Sequence, residues 1–114
     1  MVSSEEERRD KKEYSLERIK ELAESGDVMY LSSRVTKHVE NLEYSPCHVH
    51  DCLSLLEEEN YRGTIRYNNG PWLDEYLISY KGPTGHVDDL YIKLKLNRDC
   101  IVIELASFHT EGAL

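Results

Sequence analysis

Hydrophobic and polar positions alternate without a break over Asp89-Leu90-Tyr91-Ile92-Lys93-Leu94-Lys95-Leu96. A period of two assigns Leu90, Ile92, Leu94 and Leu96 to one face of a strand and Tyr91, Lys93 and Lys95 to the other. After a short Asn97-Arg98-Asp99 turn, residues Cys100 to His109 are apolar through most of their length and rich in β-branched side chains. That pattern predicts a strand covered on both sides, paired with its predecessor as a hairpin. Upstream, Tyr61, Gly63, Ile65 and Tyr67 alternate with Arg62, Thr64 and Arg66, and Trp72 to Tyr80 reads as a further strand. Asn68-Asn69-Gly70-Pro71 and Lys81-Gly82-Pro83-Thr84-Gly85 supply the turns between them.

The first half of the chain has a helical period instead. Leu16, Ile19, Leu22 and Ala23 share one face, Ser15 is placed to cap its start, and Gly26 stands where a left-handed residue ends a helix. Val28 to Leu31 reads as a short extended link. Ser32 or Ser33 then caps a helix carrying Val35, Val39 and Leu42. A third helix starts at Ser45 with Pro46 in its first turn, a Tyr44–Val49 staple and a stripe of Val49, Cys52, Leu53 and Leu56, and the Glu57-Glu58-Glu59-Asn60 run ends it. Residues 1–11 are charged, with nothing apolar to bury, and predict a disordered lead-in. The expectation is one α+β domain over 1–114: a helical part over 12–60 packed on one face of a mainly antiparallel sheet of about four strands over 61–109.

Composition narrows the function classes. The net charge of −8 argues against nucleic-acid binding by bulk electrostatics, so any such binding must rest on a local basic patch. Arg62, Arg66, Lys93 and Lys95 are the residues that can form one on the open sheet face. No apolar run approaches the roughly 20 residues of a membrane helix. The N-terminus lacks the apolar segment of a signal peptide, and three cysteines without framework spacing suit a reducing compartment. A cytoplasmic protein with no membrane partner is expected. The Cys47-His48-Val49-His50-Asp51-Cys52 segment resembles a metal cluster in composition only. On a helix Cys52 points to the core, while Cys47 and His50 lie on another face from His48, so no metal and no cofactor is expected.

The order of these segments resembles the MqsR family, toxin ribonucleases of toxin–antitoxin pairs with a RelE-like fold. The residues that carry the resemblance are Gly26, Tyr61-Arg62-Gly63-Thr64, Trp72-Leu73-Asp74-Glu75-Tyr76, Tyr91-Ile92-Lys93 and Ser107-Phe108-His109, spanning residues 16 to 109. The family pattern has lysine at the positions of Arg62 and His109, and glutamine at that of Leu73. The resemblance implies an endoribonuclease that cleaves single-stranded mRNA without a metal and is neutralised by a cognate antitoxin protein.

Such cleavage needs a base for the ribose 2′-hydroxyl, cations for the phosphorane and an acid for the leaving oxygen. His109, Lys93, Tyr91 and Arg62 are the candidate catalytic residues. Lys95 and Arg66 are candidate phosphate contacts, and Tyr67 and Trp72 candidate stacking platforms for unpaired bases. On periodicity alone the same strand residues also describe a solvated face. The alternative function is therefore a weak or inactive relative whose open sheet face binds a protein.

Overall fold

Helix α1 (Leu16–Glu24) begins and ends where the sequence places its caps. The Ser15 hydroxyl accepts from the Arg18 amide at 3.2 Å. Past Ser25, Gly26 takes φ of 75°, its amide bonds the Ala23 carbonyl, and the Asp27 amide bonds that of Leu22. This pair of bonds satisfies two carbonyls that the helix end leaves open, and it needs the left-handed residue that glycine supplies. The computed structural model describes residues 5–111. Helices α2 (Ser33–Asn41) and α3 (Pro46–Ser54) follow, and a 3₁₀ turn over Glu58–Asn60 ends the helical part. In α3 the expected Ser45 cap closes a reciprocal box with His48, whose Nδ1 accepts the Ser45 amide at 2.9 Å.

The sheet has six strands rather than four. Strands β1 (Glu6–Arg9), β2 (Val28–Tyr30), β3 (Tyr61–Tyr67), β4 (Leu73–Lys81), β5 (Val87–Leu96) and β6 (Ile103–Thr110) lie in the order β1-β3-β4-β5-β6-β2. The expected antiparallel meander is its centre, β3 to β6. The segment expected as a link is β2, parallel to β6 through Val28↔Ile103 and Tyr30↔Leu105, which makes the sheet mixed.

The expected disordered lead-in is corrected as well. Glu6 to Arg9 pair antiparallel with Tyr67 to Thr64, and residues 1–4 lie outside the described residues. No apolar period marks β1 because main-chain pairing and charge hold it. Glu7 bonds Arg66 through both carboxylate oxygens at 3.0 Å, Arg8 bonds Glu75 at 2.8 Å, and the Arg9 guanidinium lies 4.2 Å from the Trp72 ring centroid. Asp74, fully buried, anchors the chain behind β1: it accepts from the Glu13 and Tyr14 amides at 3.0 and 2.9 Å and from the Thr64 hydroxyl at 2.6 Å.

The core lies between the helices and one sheet face. Ile19, Val35, Val49, Leu53 and Leu56 meet Tyr76, Ile92, Leu94, Leu105 and Phe108 there, each at most 1% exposed. Each such side chain adds about 1.5–3 kcal/mol of transfer free energy. Two phenols cross from sheet to helical layer or loop: Tyr80 donates to Asp51 of α3, and Tyr44 to Asp88 of β5, both at 2.8 Å. Burial, then the hydrogen bond to each carboxylate, pushes both hydroxyls well above the ordinary tyrosine range.

Two bulges break the expected alternation, and both change which side chains reach the open face. In β3, Tyr61 opposes Tyr76 but Gly63 opposes Glu75, so Arg62 is an extra residue. Tyr61 and Thr64 therefore share the helix side, joined by a 2.5 Å hydrogen bond, while Gly63, Ile65 and Tyr67 take the open side. In β6, Ser107 opposes Lys93 but Leu105 opposes Leu94, so Ala106 is extra. Without that bulge Leu105, Ser107 and His109 would share a face; with it Leu105 and Phe108 enter the core and His109 does not. Nor does β6 begin at Cys100 or lie covered on both sides. Asn97 turns the chain by accepting the Ile101 and Val102 amides, Cys100 has φ of 56°, and Ile101 is 52% exposed.

Candidate functional site

Two cross-strand rows build the open face. Leu77, Tyr91 and His109 stand side by side on β4, β5 and β6, and Gly63, Glu75, Lys93 and Ser107 form the next row. Each row is fixed by ladder register, so these side chains sit on rigid backbone. Between them opens a cleft of about 400 Å³, to which β1 adds Arg8 and the β3 bulge adds Arg62. All four expected catalytic residues, His109, Lys93, Tyr91 and Arg62, line it.

His109 is held on three sides. Its ring stacks on Tyr91 with centroids 6.1 Å apart and planes 20° apart, and His38 of α2 meets it edge-on at 5.3 Å. Its Nδ1 lies 2.8 Å from the Thr110 carbonyl oxygen. A carbonyl only accepts, so Nδ1 donates, and in the neutral ring Nε2 carries the lone pair. His109 is thus oriented as a proton acceptor through Nε2.

Charge in the cleft runs against the charge of the molecule. Arg8, Arg62 and Lys93 line it with one carboxylate, Glu75. Arg8 reaches Glu75 at 2.8 Å and Lys93 lies 3.8 Å from its other oxygen. Arg62 is exposed, and among the described residues its guanidinium donates only to the carbonyls of Glu59 and Tyr61. Lys93 also donates to the Tyr67 hydroxyl at 2.8 Å, which brings that expected stacking residue to the rim. This is the local basic patch that a net charge of −8 requires of any phosphate-binding reading.

The other expected contacts lie apart. Lys95 shares the open face but is ion-paired with Glu104, its partner across the ladder. Arg66 and Trp72 do not join the cleft: Arg66 is committed to Glu7, and the Arg66 and Arg9 guanidiniums lie 4.6 and 4.2 Å from the Trp72 ring centroid. Trp72 is therefore occupied as a cation–π platform rather than open to a base. Arg8 and Glu75 in the cleft, and His38 packed behind His109, were given no catalytic or binding role in the sequence reading. Glu75 was legible as the open-face position between Leu73 and Leu77, whereas Arg8 and His38 carry no periodic signal.

Among the described residues no three His, Cys, Asp or Glu side chains are grouped to hold a metal ion. In the Cys47–Cys52 segment His48 serves the helix cap and Cys52 is buried, which pushes its thiol up to about 12. No helix among the described residues is long and apolar enough to cross a membrane. No protein-family model matches this chain, and no curated protein matches it.

Proposed function

We propose that this protein is a metal-independent endoribonuclease, MqsR-like and of RelE-like lineage, that cleaves single-stranded mRNA, arrests translation and is neutralised by a cognate antitoxin. The observation that carries the reading is the convergence of His109, Tyr91, Lys93 and Arg62 in one cationic cleft of an acidic protein. The lineage rests on the segment resemblance over residues 16 to 109 alone, because the six-stranded mixed sheet is α+β in general and not the four-stranded RelE-like layout that the resemblance implies.

In this reading His109 Nε2 takes the proton of a ribose 2′-hydroxyl. The 2′-oxygen then bonds to phosphorus, and Lys93 and Arg62 stabilise the charge on the phosphorane. The bond from phosphorus to the 5′-oxygen breaks, the Tyr91 hydroxyl delivers a proton to that oxygen, and the proton on His109 restores Tyr91 through solvent. A 2′,3′-cyclic phosphate and a 5′-hydroxyl result. Tyr67, 36% exposed at the rim, can stack a neighbouring base.

One observation favours the second reading, a catalytically weak relative that binds a protein. Glu75 already partners Arg8 and approaches Lys93, so part of the phosphate-binding charge is spent inside the cleft. Incubating purified, partner-free protein with mixed-sequence RNA in EDTA separates the two. Cleavage that persists in EDTA and yields cyclic phosphate ends supports the ribonuclease; intact RNA at stoichiometric protein leaves the binding module.

A further inference from the structure

Lys93, Ser107 and His109 line more than one cavity. A second space, of about 410 Å³, shares them and is also lined by Ser32 and Arg34 at the start of α2 and by His38 in its last turn. No carboxylate of the described residues lines it, although acidic residues outnumber basic ones 22 to 14 in the chain. Arg34 is exposed and, among the described residues, has no ion-pair partner. Ser32 is the N-cap of this nine-residue helix, yet its hydroxyl makes no capping bond, and the first turn holds no acidic side chain. The amides of that turn are left without a side-chain acceptor, and the helix dipole favours an anion beside them.

His38 supplies an independent indication. It is only 8% exposed, lines the cavity, and its ring nitrogens have no hydrogen-bond partner among the described residues. The fully buried unpartnered side-chain atoms among the described residues are the Tyr30 and Tyr76 hydroxyls, so the His38 nitrogens keep some access to solvent and are able to bond an anion that enters.

We propose that this second cavity is a phosphate subsite, in which Arg34, Ser32 and His38 hold the backbone phosphodiester next to the one that is cleaved. The inference rests on the ribonuclease reading for the identity of the chain it would hold. Lys93, Ser107 and His109 form the shared wall, so a strand crossing from one cavity to the other passes the proton-accepting ring between two successive phosphates.

The test uses the full chain and two probes, a mixed-sequence 2′-O-methyl RNA oligonucleotide, which lacks the attacking hydroxyl, and inorganic phosphate. Arg34→Ala is compared with the parent and with Arg98→Ala, an exposed change in the turn before β6. Arg34→Ala should weaken oligonucleotide binding about tenfold at low salt and reduce the salt slope by about one contact. Phosphate should shift the His38 imidazole resonances of the parent and of Arg98→Ala, and not those of Arg34→Ala. Equal affinity and slope in Arg34→Ala and parent would overturn the subsite, as would phosphate titration that leaves His38 unmoved. A His38 response to phosphate in a protein that binds no oligonucleotide also overturns it, since the site would then serve a free anion. Loss of oligonucleotide binding in Arg34→Ala, in a protein that cleaves no RNA, would sustain the subsite while the ribonuclease reading fails.

Discussion

Gly63 shows how much a single residue decides. It sits in the β3 bulge at φ of 146°, a conformation L side chains rarely adopt, and Glu75 Oε1 lies 3.9 Å from where a Cβ would stand. Gly63→Ala should therefore destabilise the protein by about 1–3 kcal/mol through backbone strain rather than lost packing. Denaturant unfolding checks this, and an unchanged midpoint would mean the bulge relaxes without loss. Cysteine accessibility gives a second residue-scale expectation. Cys52 is buried with its thiol raised to about 12, while Cys47 and Cys100 are exposed. Under native conditions iodoacetamide should label the latter two and spare Cys52, because the thiolate is the nucleophile. Rapid labelling of all three would contradict the packing of α3.

At the scale of elements, legibility followed the period. The faces of β5 were readable because Leu90, Ile92, Leu94 and Leu96 alternate strictly, and α1 because Ser15 and Gly26 mark both ends. His109 was readable as a strand-end residue, but the bulge at Ala106 that directs it to the open face was not, because an inserted residue leaves no trace in a two-residue period. Strand β1 was invisible for another reason: Glu6-Glu7-Arg8-Arg9 buries no apolar face, and its partners Arg66, Glu75 and Trp72 are about sixty residues away in sequence. Arg8 and His38 reach the site from β1 and α2, so their part in it was hidden with the topology. Deleting residues 1–11 should expose the β3 edge and cost roughly 2 kcal/mol, given about 1 kcal/mol net per ladder hydrogen bond and little from the exposed ion pairs. The thermal midpoint reads this, and its preservation would show that β1 contributes no net stability. The bare edge should also favour self-association.

For the whole molecule, buried acids that stay protonated tie stability to pH. Burial, followed by the nearby Glu13 and Asp74 charges, raises Tyr14 to about 12, and burial raises Tyr44, Tyr76, Tyr80 and Cys52 in the same direction. The unfolded chain releases these protons near the ordinary values of 9 to 10, while the folded chain keeps them. Above that range the folded state binds more protons, so stability falls with rising pH. The contribution is present in full below about pH 9 and is lost as pH rises toward 12 and beyond. Thermal midpoints should decline across that window, and a flat profile up to pH 12 would contradict the burial of these hydroxyls.

The cleft unites the scales, since two bulges, a ladder register and the packing of His38 from α2 on His109 set His109 and Lys93 together on an acidic protein. The most direct test of that account is RNA cleavage in EDTA by parent and His109→Ala protein side by side, with Lys93→Ala as the electrostatic comparison. His109→Ala should cleave about two to four powers of ten more slowly while still binding RNA. Lys93→Ala should weaken both binding and turnover, the binding loss shrinking at high salt. A folded His109→Ala protein that cleaves RNA as fast as the parent would contradict the assignment of the site.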